Sequence, residues 1–209
     1  FRMKPRVGGT KQVDMEKIRA LKPDLIIGNK EENAQADIEA LEREFPVWMS
    51  DVKDLDEALD MIAQVGLMTA TEEKAEEIGN GIRLAFAKLQ PLTDPLSVAC
   101  FIWQKPWMIA GEDTFIRDML ERCGFTRITT KEAGRYPQLN DAQLAALDPD
   151  VVLLSSEPFP FQEQHIPAVN MVLPGTPVLL VDGEAFSWYG SRLLRSPQYF
   201  QVLIDRLAH

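Results

Sequence analysis

Few residues in this chain have the types and spacing that metal binding or catalysis requires. It contains two histidines, His165 and His209, and two cysteines, Cys100 and Cys123. A transition-metal site needs several imidazole, thiolate or carboxylate ligands, and the histidines here are too few. The sequence also has no Ser-His-Asp order, metal-binding histidine pair or dinucleotide-type glycine pattern. It therefore predicts neither a bare metal-ion site nor an enzyme, with catalysis kept as an alternative.

The cysteines and a glycine turn near the N-terminus favour structural interpretations. Cys100 lies in an apolar, strand-like run and Cys123 at the end of a helical pattern, so we predict two buried thiols rather than a disulfide.

The Gly8-Gly9-Thr10 turn resembles a phosphate-binding loop only superficially. Lys11 follows it directly, and a phosphate loop needs its glycines spread ahead of a Lys-Ser/Thr pair.

Aromatic side chains are concentrated in loops of the C-terminal half. Several lie beside Pro, Gly or charged residues: Trp103, Trp107, Tyr136, Phe159, Phe161, Phe186, Trp188 and Tyr189. Such rings could form a flat, rigid apolar surface for a ligand. They could also fill the core of their own domain, as large aromatic side chains usually do.

The elements that would position these loops come from a repeat. Residues 14–30 and 140–157 each contain a helical pattern, a Pro-Asp pair and an apolar run. Proline ends the helix because it lacks the backbone donor of a helix interior, and the apolar run suits a strand buried on both faces of a parallel sheet. A second predicted strand follows in each copy, at 46–51 and 177–182, and ends on an aspartate. The repeat predicts two similar α/β lobes.

A long helical pattern separates the two copies. Thr71 is placed as its N-cap, and the pattern runs from residue 72 to about residue 89. Gly79 and Gly81 interrupt it. We interpret them as positions of close packing or of a bend rather than as a hinge.

The predicted fold class is therefore α/β, with two lobes that have central parallel sheets and are joined by a single long helix. The domains are an N-terminal lobe at 1–70, the bridging helix at 71–92 and a C-terminal lobe at 93–209. Because one helix would join the lobes, we expect only small closure on ligand binding. No strand precedes Gly8, so we expect the N-terminal portion of the first lobe to be missing.

Composition and charge limit the partners. The net charge of −10 argues against nucleic acid and against an anionic membrane surface, since both require clustered Lys and Arg. No apolar run approaches the roughly 18 residues of a membrane span. The N-terminus shows no signal-peptide pattern, and the first residue, Phe1, suggests a start within a longer protein.

A series of motifs runs through nearly the whole chain: GGT, ALKPDLII, FPVW, the long helix, AGEDTFIRDMLERCGF, LAALDPDVVLLSSEPF and an Asp-Gly-Glu loop. Together they resemble the class III substrate-binding proteins of ABC importers, the vitamin B12 and ferric-siderophore receptor family. That family's fold is two α/β lobes joined by one rigid helix. The resemblance implies capture of a corrinoid such as cobalamin, or of a ferric siderophore, in the cleft between the lobes. It implies no cofactor of the protein's own.

In α/β sheets, ligands bind beyond the carboxyl ends of the strands, and this rule gives the candidate site. The predicted ligand-binding residues are Thr10, Asn29, Lys30, Asp51, Trp103, Lys105, Trp107, Tyr136, Glu157, Phe159, Phe186, Trp188, Tyr189 and Arg192. The aromatic rings suit a corrin or a catecholate chelate. Three cations would complement phosphate or carboxylate groups of the ligand: Lys105, Arg135 and Arg192. The alternative is that each is an ordinary solvated surface charge.

The resemblance further implies delivery to the permease subunits of an ABC importer. One surface carboxylate per lobe would meet arginines of the permease, and the candidates are Glu31 or Glu32 in the first lobe and Glu184 in the second. Ordinary solvated glutamates are the alternative. We expect a monomer that is periplasmic or lipid-anchored outside the cytoplasm. A cytoplasmic cofactor-handling protein of the same fold is the alternative, because no export signal is visible.

Overall fold

The computed structural model describes residues 4–126, 128 and 134–208, so His209 lies outside the described residues. By its internal contacts the chain divides into two compact units, Phe1–Asp51 and Val52–His209. The sequence predicts a lobe boundary after residue 70, whereas this division falls after Asp51. The described helix that precedes residue 70 therefore groups with the second unit.

The first unit consists of short elements in the order that the repeat predicts. They are β1 (Gly8–Gly9), β2 (Gln12–Val13), α1 (Met15–Leu21), β3 (Ile26–Asn29), α2 (Gln35–Glu42) and β4 (Val47–Ser50). Strands β1 and β2 form an antiparallel hairpin, and β3 pairs with β4 in parallel, with Ile26 opposite Val47. Asp14 caps α1 by accepting a hydrogen bond from the backbone N–H of Lys17.

Strand β3 corrects one prediction for this unit. The sequence predicts a strand buried on both faces, but the Ile27 side chain is 46% exposed. Within the described part of the chain, β3 hydrogen-bonds to β4 alone in a two-stranded sheet. Two strands with few neighbouring elements cannot cover both faces, so the apolar run is only partly buried.

The second unit contains the larger sheet. Its elements are α3 (Leu55–Met68), α4 (Glu72–Phe86), β5 (Val98–Trp103), β6 (Trp107–Ile109), α5 (Phe115–Arg122), β7 (Gln138–Leu139), α6 (Asp141–Ala145), β8 (Val151–Ser155), α7 (Ile166–Val172), β9 (Val178–Val181), α8 (Gly183–Ser187) and α9 (Ser196–Leu207). The sheet order is β7-β6-β5-β8-β9. Strands β5, β8 and β9 are parallel, as predicted, whereas β6 and β7 run antiparallel to their neighbours. The α/β class is thus confirmed with a mixed sheet.

Helices cover both faces of this sheet. Every residue of β8 is buried, which confirms the prediction for the second copy of the repeat. Because successive side chains of a strand point to opposite faces, β5 contributes to two separate cores. Cys100 and Ile102 pack into one core, and Ala99 and Phe101 pack into the other.

Helices α3 and α4 begin where the sequence predicts. Asp54 caps α3 by accepting from the N–H of Glu57 at 2.8 Å, and the Glu57 carboxylate accepts from the N–H of Lys53, the residue before the cap, at 2.8 Å. Helix α4 begins after Thr71 and ends at Phe86, three residues earlier than predicted. The hydroxyl of Thr71 bonds to that of Thr69 and does not cap the helix.

Both cysteines are free and buried, as predicted. Burial raises the pKa of each thiol to about 12. Cys100 therefore acts as a small apolar side chain of β5, and Cys123 does the same at the end of α5. Among the described residues, no helix is both long and apolar enough to cross a bilayer.

Candidate functional site

The fold places polar loops at the carboxyl ends of parallel strands in each unit. In the first unit these loops follow β3 and β4. In the second they follow β5, β8 and β9. Parallel strands end at the same edge of a sheet, so loops that are distant in the chain become neighbours there.

Asn29 organises the loop that follows β3. Its side-chain oxygen accepts from the backbone N–H groups of Glu31 at 3.0 Å and Glu32 at 3.2 Å. Its side-chain nitrogen donates to the hydroxyl of Ser50 at 3.0 Å. Asn29, predicted to contact ligand, therefore already holds its own loop against the end of β4.

The other predicted residues of the first unit lie around this loop. Lys30 forms an ion pair with Asp51, the residue that follows β4. The Thr10 hydroxyl donates to the Glu32 carboxylate at 3.3 Å, and Lys11 donates to the backbone oxygen of Glu31 at 2.6 Å. The structure thus brings together the six residues predicted in this unit: Thr10, Asn29, Lys30, Glu31, Glu32 and Asp51. Lys30 and Asp51 already neutralise each other.

In the second unit, aromatic rings form a row across the ends of β5 and β8. Trp103, 40% exposed at the end of β5, meets the half-buried Phe159 edge to face at a centroid distance of 5.6 Å. Phe159 in turn contacts Phe161 at 4.7 Å and His165 at 5.2 Å. Since Phe161 is buried and its ring supports Phe159, the row presents Trp103 and Phe159 from a fixed base.

Lys105 and Trp107 lie in a separate groove of about 1060 Å³, formed by the turn between β5 and β6 with α6 and α7. The Trp107 indole N–H donates to Asp141 at 2.9 Å, and its ring packs on Phe101 at 5.4 Å. Trp103 is not one of the described residues that line this groove. The structure therefore separates Trp107 from the aromatic row, although the sequence grouped them.

Glu157, two residues before Phe159 in the chain, is held in place by its neighbours. The Ser187 hydroxyl donates to its carboxylate at 3.0 Å, and the Ser155 hydroxyl donates to its backbone oxygen. Helix α8 approaches so closely that a Cβ at Gly183 would lie 2.8 Å from Glu157 Cγ. No sequence pattern indicates Ser187, because its role depends on a contact with Glu157, 30 residues away in the chain.

The segment after β9 is a helix rather than the loop that was predicted. Asp182 caps it by accepting from the N–H of Glu184 at 3.1 Å, which starts α8. Arg192 forms an ion pair with Asp182, and its Nε lies 3.8 Å from the Glu184 carboxylate. The Tyr199 hydroxyl, whose pKa is raised by burial, accepts from the backbone N–H of Asp182 at 2.8 Å. Arg192 is therefore engaged within its own unit.

Three of the predicted aromatic contacts belong wholly or partly to the core. Phe186 is 1% exposed and stacks on Phe200 at 4.6 Å, so its prediction as a ligand contact is wrong. Tyr189 is half-buried against Phe115 at 5.3 Å, and Tyr136 also packs on the core. Trp188, which ends α8, is 50% exposed.

The described residues contain no cluster of three His, Cys, Asp or Glu side chains that could hold a metal ion. A sequence model described as "Periplasmic binding protein" matches residues 2–170 of this chain. The chain belongs to the periplasmic binding protein family. The resemblance to class III substrate-binding proteins of ABC importers is thereby confirmed, and the protein is a binding protein rather than an enzyme.

Individual relatives of this periplasmic binding protein differ in the ligands that their names give. A vitamin B12-binding protein of Pectobacterium atrosepticum is 25% identical over 205 residues, which cover 92% of this chain and 72% of the relative. The fold is similar to the periplasmic heme-binding protein HutB of Vibrio cholerae, with a TM-score of 0.74, 20% identity and coverage of 96% and 84% of the two chains. The fold is also similar to that of an Fe³⁺-hydroxamate transport system of Saccharomonospora viridis. The TM-score is 0.70 at 17% identity, and the match covers 95% of this chain and 74% of that chain. Likeness of fold therefore leaves the ligand open.

Proposed function

We propose that this periplasmic binding protein captures a metal chelate, a corrinoid or a ferric siderophore, and delivers it to the permease of an ABC importer. The observation that carries the proposal is the Trp103–Phe159 pair at the carboxyl ends of β5 and β8, in which Trp103 is exposed and Phe159 half-buried. A rigid aromatic edge suits a large ligand with a flat or apolar surface. The B12-binding name of the Pectobacterium relative supports this ligand class.

In the proposal, polar residues of each unit supply the remaining contacts. Glu157, fixed by Ser187, would accept hydrogen bonds from amide or hydroxyl groups of the ligand. In the first unit, Thr10 and the Lys30–Asp51 pair would contribute polar contacts from the loops after β3 and β4. Such groups fix the orientation of a ligand that is held mainly by its apolar surface.

Delivery requires recognition by the permease. We assign this role to Glu31 or Glu32 in the first unit and to Glu184 in the second, where each glutamate would meet an arginine of the permease. Glu31 and Glu32 lie in the loop that follows β3, and Glu184 lies in the first turn of α8, just after β9. Function outside the cytoplasm follows from delivery of this kind.

A retention experiment tests the ligand class. The purified protein is mixed separately with cobalamin, cobinamide, haem and ferric siderophores, free ligand is removed by gel filtration, and visible spectra are recorded. We expect a corrinoid or a ferric siderophore to be retained in equimolar amount. Retention of none of them, together with tight zinc binding, would overturn the proposal.

A further inference from the structure

We infer that the preferred cargo is a neutral or cationic chelate, whose outer groups are amides or hydroxamates rather than carboxylates or catecholates. This inference rests on the proposed function and narrows its ligand class. It comes from the charges around the candidate residues and from the way in which those charges are already paired.

In the first unit, the loops after β3 and β4 have no excess of cations. The charged residues that the structure places there are Lys11, Lys30, Glu31, Glu32 and Asp51. Lys30 is neutralised by its ion pair with Asp51, and Lys11 binds a backbone oxygen. Three carboxylates therefore face two cations, so a polyanion would meet repulsion here.

The corresponding loops of the second unit are balanced. Their described charged residues come from the loops after β5 and β8, the segment between β9 and α9 and the segment before β7, and are Lys105, Arg135, Glu157, Glu163, Asp182, Glu184, Arg192 and Arg195. Arg192 pairs with Asp182 and lies near Glu184. Lys105 lies in the groove beside α6 and α7, apart from the aromatic row. The charged side chain nearest to Phe159 along the chain is thus that of Glu157, two residues before it, and the ring of His165 contacts Phe159 at a centroid distance of 5.2 Å.

The physical consequence is selectivity by charge. A carboxylate or catecholate oxygen that leaves water must find a cation or a strong donor, otherwise its solvation energy is lost. Like charges placed together add several kcal/mol to that cost. Amide groups lose far less solvation energy, and they can donate to Glu157 and to Asp51.

Corrins that differ only in their outer groups give the sharpest test. Dicyanocobinamide carries amides on its periphery, and dicyanocobyrinic acid carries carboxylates on the same ring. We expect the acid to bind at least about a hundredfold more weakly in titrations followed by visible absorbance. Ferric hydroxamate and ferric tris-catecholate siderophores form a second pair with the same expected order.

Two substitutions connect the selectivity to named side chains. Asp51→Asn leaves Lys30 without its partner, and Glu157→Gln keeps the acceptor for Ser187 while removing the charge. The double variant should bind cobyrinic acid about tenfold more tightly than the unmodified protein and should not gain affinity for cobinamide. The control, Glu16→Gln with Glu77→Gln, makes the same charge change at exposed ion pairs on α1 and α4.

The outcomes separate the two proposals. Equal or tighter binding of the polyanion to the unmodified protein would refute the charge inference and leave the proposed function standing. An equal gain in the control variant would also refute it, since net charge alone would then explain the effect. Binding of no chelate by the folded protein would refute the proposed function and with it this inference.

Discussion

At the scale of the residue, side chains of one type have different roles because their surroundings differ. Trp103 stands 40% exposed and touches Phe159, whereas Trp107 donates a hydrogen bond to Asp141 and packs on Phe101. A tryptophan that already has an indole acceptor and a packing partner stabilises its own unit. One with an exposed face remains available to a ligand.

Replacement of Trp103 should therefore affect binding, and replacement of Trp107 should affect stability. Trp103→Ala is expected to weaken chelate binding by at least about tenfold, or 1.4 kcal/mol, with a small change in the free energy of unfolding. Trp107→Ala removes the link to α6 and should lower the unfolding free energy by about 3 kcal/mol. Ligand titration and urea denaturation of both variants measure the two effects, and the reverse pattern would contradict this assignment.

The buried thiols give a prediction about pH. Burial raises the pKa of Cys100 and Cys123 to about 12, whereas thiols in the unfolded chain ionise near about pH 8.5. Below about pH 8.5 both states hold the protons, and above it the unfolded state releases them first. The free energy of unfolding should therefore fall as pH rises from about 8.5 towards 12, by up to about 1.4 kcal/mol per pH unit for each thiol.

Urea denaturation between about pH 7 and about pH 10 measures this decline. A variant with Cys100→Ala and Cys123→Ala is the control, because Lys and Tyr residues also titrate at high pH. The decline should be shallower in the variant. If the slopes of stability against pH agree within error, the thiols do not contribute to it.

At the scale of the element, glycines in α3 and α4 differ in the space around them. A Cβ added at Gly66 would lie 2.5 Å from the Cβ of Ala75, at the contact between the two helices. A Cβ at Gly79 would meet Arg83 and Leu59 at 3.5 and 3.8 Å, which are ordinary contacts, and one at Gly81 would press on Leu194 at 2.7 Å. Close packing thus explains Gly66, whereas the Leu194 side chain beside Gly81 is 41% exposed and can shift.

This difference predicts opposite effects of the same substitution. Gly79→Ala should stabilise the protein by up to about 1 kcal/mol, because alanine restricts the unfolded chain and fits the helix without a clash. Gly66→Ala should destabilise it by about 1 to 3 kcal/mol. The Ala75 methyl group is bonded directly to the backbone of α4, so it cannot move away by a change of rotamer. Thermal and urea unfolding of the two variants provide the comparison. A loss of stability in both would show that Gly79 has a packing role as well.

At the scale of the whole molecule, the proposed delivery depends on glutamates in both units. Glu32 accepts a hydrogen bond from Thr10, and Glu184 lies in the first turn of α8 near Arg192. An exposed ion pair contributes only about 0.2 to 1 kcal/mol. Contacts at two separate points nevertheless set the orientation of a partner, and charge complementarity mainly governs encounter and register.

Reversal of both charges should therefore abolish delivery and leave capture intact. Glu32→Arg combined with Glu184→Arg is expected to stop uptake of the chelate through the matching transporter, with the affinity for the neutral corrinoid dicyanocobinamide in solution unchanged. Exposed glutamates on helices of each unit provide the control, Glu42→Arg with Glu76→Arg, which makes the same change in net charge. Uptake that survives the first double reversal would rule out these docking residues.

The sequence by itself determined the features that depend on neighbours in the chain. Pro23 and Pro149 each lie between a helix and a strand. Helix α1 ends two residues before Pro23 and α6 ends four residues before Pro149, and β3 and β8 begin three and two residues after these prolines. The cap at Asp54 likewise needs only the residues of its own turn. The repeat of these local signals predicted the strand order β3, β4 and β8, β9, which the structure confirms.

Tertiary structure decided which of the candidate side chains remain available. The ion pairs Lys30–Asp51 and Arg192–Asp182, the burial of Phe186 and the support of Glu157 by Ser187 each join residues from different elements. Charge pairing and burial depend on distances in space, and an apolar run such as β3 is covered only as far as other elements reach it. Composition and periodicity carry no information about those distances. Only the folded chain therefore shows which of the candidate residues are still available to a ligand.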